Sequence, residues 1–140
     1  MNSTLAQIIS VAAIALPMAV VATFMYCSFR LIRFQRSVPT LMNSSDIDRY
    51  KHEARINMYA QVISNVLLIG GGFAVIGASI LVRWYFLLVV PAFGLVLVGL
   101  TNRFVHLEEW ALTMPAANEK LAHERDRIAE IWQNERFPNW

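Results

Sequence analysis

Charge is missing from three long stretches of this chain, and that absence limits what it can fold into more than any motif does. Residues 1–29, 56–82 and 84–102 contain no Asp, Glu, Lys or Arg. A helix crosses a hydrocarbon core of about 30 Å with about 20 mainly apolar residues. Each stretch is long enough, or nearly so, to cross once. Only 16% of the chain is charged and 56% is hydrophobic, against the roughly 25% charged of soluble domains. The sequence therefore predicts an all-α integral membrane protein.

Arg83 and Trp84, inside "GASILVRWYFLLVVPAFG", decide the number of spans. As one helix, residues 56–102 would run about 70 Å, more than twice the hydrocarbon thickness. Two spans joined in a tight hairpin turning at 82–84 fit instead. Arg83 and Trp84 then lie at headgroup level, where a guanidinium reaches lipid phosphates and an indole sits half in the apolar phase. The alternative is a re-entrant loop broken at Gly70, Gly71, Gly72 or Gly77, which would set unpaired backbone against lipid. Three transmembrane helices follow, with helical extensions outside them. Residues 1–34 form the first span and its basic end, 35–55 a linker and amphipathic helix, 56–105 the transmembrane hairpin and 106–140 a helical tail.

Basic residues orient the chain. Arg30, Arg33, Arg36, Arg49, Lys51 and Arg55 lie between the first two spans, and Arg103, Lys120, Arg125, Arg127 and Arg136 after the third, which leaves Arg83 alone on the other side. The positive-inside rule places the N-terminus outside and the tail in the cytoplasm of a bacterial inner membrane. The first segment reads as a retained anchor, because it lacks a basic n-region and its apolar part outruns an ordinary signal h-region. Cys27, preceded by bulky Tyr26, reads as an inert membrane thiol. A single cysteine excludes an internal disulfide and a cysteine-based metal cluster.

Outside the spans, Arg30, Arg33 and Arg36 recur at helical spacing and form a strip for lipid headgroups. Ser44 or Ser45 is expected to cap the next helix, with Asp46 and Asp48 in its first turn and an Arg49–Glu53 pair at i, i+4. His52 sits among charges and reads as solvated. Pro115 interrupts the tail. Beyond it a helix is expected over 116–136, with a Lys120–Glu124 pair and an apolar strip of Leu121, Ile128 and Trp132. Phe137 and Trp140 close the tail and either dock or fray.

Two seams of small residues mark faces for helix packing: Ala12, Ala15, Ala19 and Ala22 in the first span, and Ala60, Ser64, Gly71, Ala74 and Ala78 in the second. Helices in lipid associate by such close approach and by interhelical hydrogen bonds. A polar stripe of Asn57, Gln61, Ser64 and Asn65 enters the second span. It suits packing better than transport, since no ionisable group lies well inside any span.

Chemistry is harder to find. His106 and Glu109 at i, i+3 are weak candidates for a metal, because the reversed order and missing partner motif do not match a di-metal bundle. His52, His106 and His123 all lie outside the apolar segments, where haem ligands are not expected. "GGGFAVIG" lacks the lysine and strand of a phosphate-binding loop. No nucleophile elbow or zinc-binding histidine pair is present. The pI of about 9.0 reflects charges beside the spans, and so points to a membrane surface and not to nucleic acid. The expectation is a non-enzymatic accessory or scaffolding subunit of an energy-converting or secretion complex. It would have no cofactor and would have other integral membrane proteins and lipids as partners. A self-associating holin-like pore is the alternative, with copies of itself as partner, and a metal- or haem-binding enzyme subunit comes third.

Overall fold

The computed structural model describes residues 3–135 and 137–140, so Arg136 lies outside the described residues. Its elements are α1 (Ser3–Ser37), α2 (Ser44–Leu81), a 3-10 helix (Trp84–Leu88), α3 (Val89–Leu112) and α4 (Glu119–Asn134). Three helical segments, Thr4–Ser37, Ser44–Leu81 and Trp84–Leu112, are long and apolar enough to cross a membrane.

The second helix does not break at its glycines. α2 is continuous past Gly70, Gly71, Gly72 and Gly77, although each glycine costs about 1 kcal/mol of helix propensity against alanine. In apolar surroundings a break would leave several N–H and C=O groups unpaired, at several kcal/mol each. The turn that follows is longer than the three residues expected at 82–84. Val82 and Arg83 both donate their N–H to the Ala78 carbonyl, at 2.9 and 3.1 Å. Arg83 is extended, and the 3-10 turn at Trp84–Leu88 completes the reversal before α3 begins.

The chain forms two compact units, one from the residues up to Met25 with Ile63–Asn102, the other from Tyr26–Val62 with Arg103–Trp140. The first has a thin core of Ala13, Val75, Ala78 and Phe86. Ala13 and Ala78 are small, and the glycines of α2 lie against side chains of α1. A Cβ added to Gly71 would lie 3.4 Å from the ring of Pro17, which α1 carries without ending there, and one on Gly77 would lie 3.5 Å from Ile9.

The second unit has the larger core. Leu31 and Phe34 of α1, Tyr50 and Met58 of α2, Ala111 of α3 and Ile128 and Trp132 of α4 are buried in one cluster. Phe34 and Tyr50 ring centroids lie 6.3 Å apart and Tyr50 and Trp132 centroids 6.1 Å apart. Asn43 starts α2, its side-chain oxygen accepting from the Asp46 N–H at 3.0 Å, so the cap expected of Ser44 or Ser45 falls one residue earlier. Asn118 caps α4 in the same way through Leu121 N–H at 2.9 Å. The two interhelix connections are joined by main chain: Leu41 N–H donates to Pro115 O and Ala117 N–H to Leu41 O, both at 2.9 Å. Trp140 packs against this core, and Phe137 lies 6.1 Å from the Tyr59 ring.

Candidate functional site

Arginines gather where α1 and α2 run side by side in the second unit. Arg30 is the first charged residue after the apolar run of α1, and Glu53 stands near the last charge before that of α2. Arg30 Nη2 and Nε donate to Glu53 Oε1 and Oε2 at 2.6 and 3.0 Å, a two-pronged pair with little exposure on the glutamate. Arg30 Nη1 also donates to the Tyr26 hydroxyl at 3.1 Å. Such a charge-assisted fork fixes both position and angle. Arg49 Nη2 donates to Ser37 Oγ at 3.0 Å. Glu53 is thus taken through both oxygens by an arginine of the neighbouring helix, and Arg49 bonds Ser37 instead.

These residues border a groove of about 520 Å³ that also takes in Phe29, Arg33 and Phe34, within the usual size of ligand pockets. Arg33 and Arg49 are exposed and make no ion pair among the described residues. Arg36, expected on the same strip, is exposed and does not border the groove. Arg83 and Trp84 are exposed in the first unit, at the turn.

A second ion pair crosses between helices, again in place of the expected local one. Lys51 Nζ donates to Glu124 Oε1 at 2.9 Å, and Lys120 is not its partner. The bond to Lys51 holds the Glu124 carboxyl below the usual carboxylate range.

The small-residue seams divide. On α2, Ser64, Gly71 and Ala78 are buried and Ala60 and Ala74 half-buried. On α1 the buried positions are Ala13, Pro17 and Val20, while Ala12 and Ala19 are half-buried and Ala15 and Ala22 exposed. The first helix therefore turns a neighbouring face inward, the one that sets the Pro17 ring on Gly71. The polar stripe divides as well. Asn57 is buried and bonds its own helix at Glu53 O, 2.8 Å away, Ser64 is buried, and Gln61 and Asn65 are exposed.

His106 Nδ1 lies 3.5 Å from Glu109 Oε2, with the two side chains 82% and 67% exposed. Among the described residues no third His, Cys, Asp or Glu joins them in a metal-binding group. Sequence reasoning missed Arg49 and Glu53 as parts of a site. The signal was present: in antiparallel neighbours the charges that flank two apolar runs stand at one level. Compared with known protein families, curated proteins and solved structures, the chain matches none.

Proposed function

We propose that this chain is a non-catalytic accessory or scaffolding subunit of a larger assembly in the bacterial inner membrane, with its N-terminus outside and its tail in the cytoplasm. The observation that carries the reading is Asn65. Its side chain is exposed and has no hydrogen-bond partner among the described residues. The charge-free stretch 56–82 is 27 residues long, about 40 Å, and if centred on a core of about 30 Å it overhangs by about 5 Å at each end. Asn65 then sits about 8 Å inside hydrocarbon, where an amide seeks a bond from another helix. No other helix of this chain supplies that bond among the described residues, which supports a partner on another protein molecule. The third apolar segment adds a face for it, since 6% of its most apolar 18 residues are buried, against 17% and 22% in the other two.

Purification from native membranes in mild detergent, followed by mass spectrometry, tests the reading. A set of other membrane proteins in fixed ratio, depleted in Asn65→Leu, is expected. Copies of this chain alone would replace the reading with the self-associating pore. No fixed companion at all would reject both.

A further inference from the structure

The groove along α1 and α2 has more positive charge than its own residues neutralise. Glu53 is engaged on both oxygens by Arg30. That leaves Arg33 from α1 and Arg49 from α2 bordering one groove with no carboxylate partner among the described residues. Two guanidinium groups facing a shared cleft repel each other, and an anion between them turns that repulsion into attraction. Ser37 Oγ, which itself donates to Phe34 O at 3.0 Å, accepts one Arg49 N–H and so aims the group while leaving its other donors free. Arginine donors in a planar fork match the oxygens of a phosphate.

The surroundings select the kind of phosphate. The groove opens where the charge-free stretch 1–29 ends, and one wall is Phe29, 69% exposed. A free anion has no use for that ring, whereas a glycerolipid places apolar carbon beside its phosphate. We propose that this groove binds the phosphate of an anionic lipid headgroup between Arg33 and Arg49, with Arg30 and Glu53 as its fixed wall. The assignment rests on the membrane location in the proposed function but not on any protein partner.

The test uses the full chain in neutral detergent. Its thermal unfolding is followed while dioctanoyl phosphatidylglycerol, dioctanoyl phosphatidylcholine or inorganic phosphate is added. The wild type and Arg36→Gln, which removes a nearby charge outside the groove, should gain stability from phosphatidylglycerol alone. Arg33→Gln/Arg49→Gln should need roughly a hundredfold more of it, about tenfold per lost charged bond. Should that pair fold poorly, Arg33→Lys/Arg49→Lys keeps the charge and loses the fork, and should still bind more weakly than the wild type. An equal loss in Arg36→Gln would show general attraction to charge and overturn the site. An equal response to phosphatidylcholine, or the full shift from inorganic phosphate, would overturn the anionic-lipid assignment. Co-purifying partners play no part in this readout, so it fails or succeeds separately from the subunit reading.

Discussion

Tyr50 is buried among Phe34 and Trp132, and its hydroxyl has no partner among the described residues. A buried hydroxyl without a bond costs about 1–3 kcal/mol of lost solvation. Tyr50→Phe should therefore stabilise the second unit by about 1 kcal/mol in thermal or urea unfolding, and a clear loss would mean that the hydroxyl is bonded. Glu124 makes a prediction of opposite kind. Its folded-state pKa is depressed, first by the bond to Lys51, so its contribution is present at neutral pH. It fades as pH falls below the unfolded value of about 4.3 and through the lower folded one. Wild type should lose stability relative to Glu124→Gln between about pH 5 and 3, by a small amount because the pair is partly exposed and screened. Superimposable acid limbs would show that the pair contributes nothing. Neither pair of partners was legible in the sequence. Spacing rules see one helix at a time, and both Arg30–Glu53 and Lys51–Glu124 join residues from different helices.

At the scale of elements, the apolar helices were legible because long charge-free runs stand out whatever the tertiary context. Their inner faces were less so. Alanine is small on every side of a helix, so a run of alanines does not by itself say which side is covered. On α1 the buried side is the one that carries Pro17, whose ring leaves room for little more than a methyl on the facing residue of α2. Gly71 is that residue. Gly71→Ala should be tolerated, since a Cβ just touches the ring and alanine gains about 1 kcal/mol of helix propensity. Gly71→Leu should force α1 and α2 apart and lower the unfolding temperature in detergent. Equal stability of the two variants would show that the close approach is dispensable. Ala15 and Ala22 face outward, so leucine there should leave the isolated chain unchanged and disturb only an assembly.

Across the whole molecule, the two units have cores of different kinds. One holds Ala13, Val75, Ala78 and Phe86, too little apolar burial to explain long helices in water. The other buries large aromatic side chains, with Trp110, Trp132 and Trp140 in or against its core. Urea added to the chain in mild detergent should red-shift tryptophan emission as this second core opens, while most of the far-UV helical signal, shielded by the micelle, persists. A single transition that removes both signals would show one cooperative unit instead of two. The sequence displayed this division as alternation between charge-free and charged segments. It did not display how firmly the charged segments pack, because that core is assembled from residues of four helices lying far apart in the chain.

The main-chain bonds between Leu41 and the 115–117 segment have a consequence in time. During synthesis Leu41 appears first, and its two partners follow only after the whole of α2 and α3 has been made. Translation supplies roughly 5–20 residues per second, so these two bonds form several seconds after Leu41 is made at the earliest. Closure then records that the hairpin has been delivered with both ends within reach. Nascent chains of increasing length should change from cleavable to protected at the Pro39–Asn43 linker once residue 117 has emerged.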